Sequence, residues 1–208
     1  MRKICFILIL TIVVAIPVVF VSHAGTPIVP IPFSADYTVT DESGELIENG
    51  RYYIGAEGVR MEIESDGESI VTITNLHKGL HFVIMEEEKM YIENAIFTGE
   101  GESFTKEDLL SEMGIGNPCP VKHSKTKHLG SEVINGRTVE KWECHDTAED
   151  EVITIWFDTR LKAGIKTECD GEIFEFHNIR EGGLSSDLFN VPAGYMKFAM
   201  PVGSFFQD

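Results

Sequence analysis

The chain has 208 residues, 43% hydrophobic and 25% charged, the make-up of a globular protein of one large domain or two small ones; disorder and a polytopic membrane protein are excluded. Seventeen Lys and Arg stand against 34 Asp and Glu, a formal net charge of −17. Such a surface gains nothing from counterion release on phosphate backbones and is not drawn to anionic lipid, so nucleic acid and charge-driven membrane docking are excluded as well.

Residues 1–24 read as an export signal. Arg2 and Lys3 give it a positive start, residues 5–21 are almost continuously apolar, and Ser22-His23-Ala24 places small residues where a signal peptidase reads them. Cleavage is expected after Ala24, with release into an exported compartment, the periplasm foremost. The alternative is an uncleaved inner-membrane anchor over residues 4–21, close to the lower limit of the ~20 residues a spanning helix needs. The segment holds two cations and no acid, so its removal takes the net charge from −17 to −19. Residues 25–32 form a short lead-in, and 33–208 read as one domain without linker or repeat.

From Phe33 onward the pattern alternates with period two, broken by turn residues every eight to twelve positions, as in an all-β domain. Val59, Met61 and Ile63 alternate with Arg60, Glu62 and Glu64. Val71 and Ile73 continue one face of the next strand, and His81, Val83 and Met85 that of the one after. Met90 and Ile92 follow a charged Glu86-Glu87-Glu88 tip. Asn135-Gly136, set between Val133-Ile134 and Thr138-Val139, is a strong hairpin signal because both residues tolerate positive φ. Residues 152–158, 164–170 and 172–179 complete a terminal meander with a tight turn at Asp170-Gly171. Thr105-Lys106-Glu107-Asp108 resembles a capping box, followed by Leu109, Leu110 and Met113 and ended by Gly114; Ser185 to Phe189 suggests one further turn. The fold expected is mainly β: a single curved antiparallel sheet, an unclosed barrel of about eleven strands, with one or two short helices.

Beyond the export segment lie Cys119, Cys144 and Cys169. Loop entropy does not choose between 119–144 and 144–169, each worth roughly 3.5 kcal/mol. Geometry favours Cys119–Cys144. Cys144 and Cys169 fall on strands with a third between them, about 9.6 Å apart, beyond the ~7 Å limit for bridged Cα atoms. Cys169 is then a small buried hydrophobe.

Phe33-Ser34-Ala35-Asp36, Gly50-Arg51-Tyr52-Tyr53-Ile54 and Val59-Arg60-Met61-Glu62 resemble the opening strands of an uncharacterised exported bacterial family. That family belongs to the outer-membrane lipoprotein carrier superfamily (LolA, LolB and RseB-like proteins). Trp156-Phe157-Asp158, Leu161, Ile165-Lys166-Thr167-Glu168, Gly171, Phe174-Glu175, Asn178-Ile179, Leu188-Phe189 and Val191-Pro192-Ala193-Gly194-Tyr195 carry the likeness on. It spans about residues 33–197. It implies an unclosed β-barrel of about eleven strands around an apolar concavity, and lipid or lipoprotein handling, or envelope sensing, without catalysis. The matched residues are turn glycines, core aromatics and a helix-ending Val-Pro, so no ligand residue carries over.

Met61, Ile63, Val83, Met85, Met90, Trp156, Phe174 and Phe176 are apolar at strand spacing and form the candidate ligand-binding face. Flexible methionines beside rigid aromatics suit an acyl chain, while the same residues also suit a self-filled core. His77, His81, Cys119, His123, His128, Cys144 and His145 lack the spacing of a zinc site, and Asp41-Glu42, Asp66-Gly67-Glu68 and Glu149-Asp150-Glu151 lack that of a calcium loop. Neither metal nor cofactor is expected. No G-x-S-x-G, H-E-x-x-H or phosphate loop is present. Ser103–Lys106 and Ser124–Lys127 match S-x-x-K without its companion motifs. The expected function is therefore a non-enzymatic envelope protein that binds an apolar ligand, a lipid or a lipoprotein's acyl chains. An interaction or sensing module with a filled core is the alternative, and a hydrolase with an unrecognised site the third.

Overall fold

The computed structural model describes residues 29–65, 68–96, 106–119, 125–146 and 151–198. The export segment, the capping Thr105, Asp66-Gly67, Ser103, His123, Ser124 and Glu149-Asp150 lie outside the described residues. No described helix is long and apolar enough to cross a membrane.

The described strands run β1 Phe33–Thr40, β2 Leu46–Ile54, β3 Gly58–Ser65, β4 Glu68–Asn75, β5 Leu80–Met85 and β6 Met90–Ala95, then a helix, α1 Lys106–Glu112. They continue as β7 Lys125–Ile134, β8 Arg137–Asp146, β9 Glu151–Asp158, β10 Ala163–Cys169 and β11 Glu172–Glu181, and, after a 3-10 turn at Ser186–Phe189, β12 Met196–Lys197. All twelve join one sheet in the order β12-β6-β5-β4-β3-β2-β1-β11-β10-β9-β8-β7. The sheet is the mainly β, curved and unclosed one expected, and the additional strand is the two-residue β12. Adjacent strands rotate by about 20–25°, so a sheet this wide cannot lie flat. Among the described strands, β7 and β12 stand at the open edges.

Turn chemistry explains the hairpins. Asn135 and Gly136 have φ of 50° and 76°, and Asp170 and Gly171 of 47° and 82°. Two consecutive left-handed residues give a two-residue loop whose twist matches the strands. Gly114, at φ 70°, ends the α1 segment.

Both faces of the sheet are covered, each by a different part of the chain. The inner face carries α1 through Leu110, with Leu109 and Met113 at its margin, against Phe33, Tyr37, Tyr52, Ile54 and Phe176. On the outer face, Val71, Ile73, Phe82 and Ile84 pack beneath Phe189, Leu184, Leu188, Val191 and Tyr195. This corrects the expected continuity of one face along β3, β4 and β5. Val71 and Ile73 belong to the outer face, and in β5 the fully buried residues are Phe82 and Ile84 rather than Val83 and Met85. The reason is the C-terminal segment, which gives β4 and β5 a second buried side.

Cys119 and Cys144 form the disulfide expected of them, with Cα atoms 5.6 Å apart. Cys144 and Cys169 both pair with Ile153, from opposite sides, so one strand does separate them. Cys169 is buried, as expected.

Candidate functional site

Strand register builds the inner face in cross-strand rows. The first row runs Phe33, Ile54, Val59, Thr74, His81, Asn94, and the second Ala35, Tyr52, Met61, Thr72, Val83, Ile92. A third runs Phe176, Tyr37, Gly50, Ile63, Ile70, with Met85 and Met90 paired at its far end. Side chains in one row share a face, because successive residues of a strand alternate sides. Seven of the eight candidate residues therefore lie on the inner face: Met61, Ile63, Val83, Met85, Met90, Phe174 and Phe176.

The two halves of that face differ. Across β11, β1 and β2 it is filled by aromatic rings. Tyr37 stacks on Phe174 at 5.3 Å between centroids, and Tyr52 meets Phe176 edge-on at 5.2 Å. Phe33 completes the group against Phe176. The Tyr37 hydroxyl donates to Glu48 Oε1 at 2.7 Å; burial, first, and that carboxylate, second, push its phenol above the ordinary range, so it stays a neutral donor. Phe174 and Phe176 are thus packing residues.

Across β3 to β6 the inner face is not filled in this way. Met61, Ile63, Val83, Met85, Met90 and Ile92 are all half-buried. Of these, Met61 alone packs against a buried cluster of the described residues. Polar groups line the same strip: Thr72 and Thr74 are buried, and His81 Nδ1 lies 3.0 Å from Thr74 Oγ1. His81 Nε2 is buried without a hydrogen-bond partner. Burial holds the His81 imidazole below its ordinary pKa, which keeps it neutral at pH 7. Thr72 and Thr74 were not singled out in the sequence, because Thr alternating with Val71 and Ile73 reads as a solvent-facing pattern.

Trp156 is placed elsewhere. It lies on β9, paired with Lys166 beside the register shift between Gly164 and Lys166, and at 5% exposure it belongs to the same buried cluster as Phe33, Tyr37 and Phe176. Lys141 Nζ lies 4.5 Å and Lys166 Nζ 5.1 Å from its ring centroid, and its indole nitrogen donates to Glu132 at 2.9 Å. With the ring covered by two ammonium groups and its N–H satisfied, Trp156 is no part of the strip.

The remaining constellations do not converge. His77 is exposed, His128 stacks on Trp142 at 4.8 Å and pairs with Glu140, and Cys119 and Cys144 are spent on each other. Among the described residues, no three His, Cys, Asp or Glu are grouped to hold a metal ion. Asp41 closes its own turn, accepting from the Ser43 and Glu45 amides at 2.8 and 2.9 Å. An outer-face cleft of about 100 Å³ lies between Asp36, Arg51, Tyr53 and Arg180. Its carboxylate is taken by Asn178 at 2.9 Å and Arg51 at 3.2 Å.

No protein-family model matches the sequence, and no curated protein matches it. Among solved structures the chain is similar to an uncharacterized conserved protein from Thermus thermophilus, at 11% identity, 80% of this chain, 89% of that chain and a TM-score of 0.52. It is also similar to a chain of the MucA/MucB complex of Pseudomonas aeruginosa, at 12% identity, 79% of this chain, 56% of that chain and a TM-score of 0.49. A LolA superfamily protein from Nitrosomonas europaea follows at 10% identity, 76% of this chain, 90% of that chain and a TM-score of 0.33. The likeness to the Thermus protein is one of fold alone.

Proposed function

We propose that this is an exported, non-enzymatic binding protein of the cell envelope, whose inner face over β3 to β6 takes an apolar ligand, a lipid or a lipoprotein's acyl chain. One observation carries the reading. Six aliphatic and thioether side chains are gathered by register on one face and left half-buried, beside a half of the same face that its own aromatic rings fill. An ordinary core would bury both halves alike, because interiors pack to crystal-like density. Three of the six are methionines, which adapt to a chain without fixed shape.

Three other features support it: the export signal read in the sequence, the family resemblance, and the fold shared with the Thermus protein. The test is extraction of the protein, purified from its own compartment, followed by mass spectrometry of the extract. A co-purifying lipid or acylated species is expected. A ligand-free spectrum together with no uptake of added fatty acid would overturn the proposal.

A further inference from the structure

The strip over β3 to β6 carries the buried hydroxyls Thr72 and Thr74 on β4, and at one end two larger polar side chains face each other across β5 and β6. His81 and Asn94 are directly paired, and directly opposed residues bring their Cβ atoms to about 5 Å. His81 spends Nδ1 on Thr74 and leaves Nε2 buried with no partner. Among the described residues no hydrogen bond reaches the Asn94 side chain. Buried nitrogens in native proteins are nearly always paired, so an orphan beside a half-open apolar strip points to a group the protein itself does not supply.

We propose that the ligand of the inner face is an acyl chain ending in a carboxyl group, with one oxygen on His81 Nε2 and the other on the Asn94 amide. This inference rests on the apolar-ligand reading above. A two-oxygen group can give each of the two adjacent polar side chains its own oxygen, where a hydroxyl would have to bridge both through one. A carboxylic acid both donates and accepts, so it satisfies Nε2 in either imidazole tautomer. Charge excludes the larger anionic heads. Among the described residues, the inner-face positions of β3 to β6 include no Lys or Arg. A phosphate or sulfonate would be buried there without a cation, whereas a carboxyl group can enter protonated. From His81 to Met85 is four residues, about 13 Å at 3.3 Å per residue. The hydrocarbon would lie along that length, over Val83 and Ile92 and then Met85 and Met90.

Calorimetric titration of the full chain with dodecanoic acid, its methyl ester and dodecanol, each below its solubility limit, tests the inference. Dodecanoic acid is expected to bind about tenfold more tightly than dodecanol, the gain of a good polar contact in a dry site. His81→Phe should erase that preference and leave dodecanol binding in place, and His81→Gln should restore part of it. The carboxyl carbon resonance of labelled dodecanoic acid should shift on binding to the native chain and not to His81→Phe. Equal affinity for all three ligands in the native chain would overturn the carboxyl anchor while the apolar-ligand reading stands. Failure of all three to bind would overturn both.

Discussion

Asp158 is a carboxylate only 2% exposed, and Arg137 is what allows it to sit there. The guanidinium bonds Asp158 Oδ2 through Nε and Glu181 through a terminal nitrogen at 2.9 Å. Asp158 Oδ1 meanwhile accepts the Arg160 and Leu161 amides at 2.8 and 3.0 Å. Removing the cation strands a buried charge, so Arg137→Met should cost about 3 kcal/mol, read as a fall in the denaturant midpoint. Asp158→Asn keeps the oxygen that closes the β9–β10 turn and should cost clearly less; the opposite ranking would show that the buried carboxylate does not depend on Arg137. His81 gives a pH dependence of fixed sign. Its folded pKa is lowered by burial from 6.5, so as pH falls below 6.5 the unfolded chain takes up a proton that the folded chain resists. Stability is therefore lost from about pH 6.5 downward towards the folded pKa. Thermal unfolding between pH 7 and 5 should show an extra loss in the native chain that His81→Phe lacks. At this scale the sequence was legible in part. Met61, Ile63, Val83, Met85 and Met90 could be grouped because alternation survives any twist of the sheet. Trp156 could not be assigned a face, because the register shifts between Gly164 and Lys166, against β9, and a bulge of one residue reverses parity without any mark in composition.

The elements hold together through a few positions where a side chain has no room. A Cβ on Gly50 would lie 1.9 Å from the Glu62 carbonyl oxygen and 2.8 Å from the Tyr37 ring. One on Gly55 would lie 2.5 Å from the Phe189 ring. The first obstacle is backbone of the neighbouring strand and the second a side chain, so Gly50→Ala should destabilise more than Gly55→Ala, by about 3 kcal/mol against 1–2. Equal midpoints for the two would mean that β3 yields as easily as a ring. Phe189 also anchors the C-terminal segment, since Asn75 Nδ2 donates to its carbonyl at 2.9 Å and its ring is 2% exposed. That segment ends by capping β6, with the Met196 amide on Lys89 O at 2.9 Å and the Phe198 amide on Tyr91 O at 2.7 Å. The opposite edge strand, β7, carries a register shift at Gly130 and exposes Lys125 and Lys127, both devices that discourage pairing with another chain. Strands and turns were readable because Asn-Gly and Asp-Gly punctuate alternating runs. The covering of β4 and β5 was not, because Leu184 to Tyr195 contacts strands more than a hundred residues earlier, and no local pattern records that.

At the scale of the molecule, antiparallel connection sorts the charge by end. The pairings Met85 with Met90, Cys169 with Glu172 and Asp146 with Glu151 place the β5–β6, β10–β11 and β8–β9 junctions at one end of the sheet. The β1–β2 turn joins them there, since Glu42 stands 3.3 Å from the position of a Cβ on Gly171. Asp41, Glu42, Glu45, Glu86, Glu87, Glu88, Glu151, Asp170 and Glu172 therefore share one rim, where Lys89 and Lys125 offset only part of their charge. Lys78, Arg137, Arg160, Lys162 and Arg180 lie at strand ends on the other, together with Glu57, Asp158 and Glu181. The net charge of −17 was legible from composition, but its polarity needs strand order, which composition does not contain. Crowded like charges oppose the compact state, and salt screens them: the Debye length falls from about 30 Å at 0.01 M to about 8 Å at 0.15 M. Raising sodium chloride from about 10 to about 500 mM should therefore raise the melting temperature by a few degrees. The double substitution Glu87→Lys with Glu88→Lys, both exposed in the β5–β6 turn, should produce a similar rise at the low salt concentration and almost none at the high one. Scanning calorimetry on both proteins at both salt concentrations checks this. A salt response that the substitution leaves unchanged would place the repulsion elsewhere on the surface, and a melting temperature that falls with salt would mean that the ion pairs, Arg137 with Asp158 and Glu181 first among them, outweigh the rim.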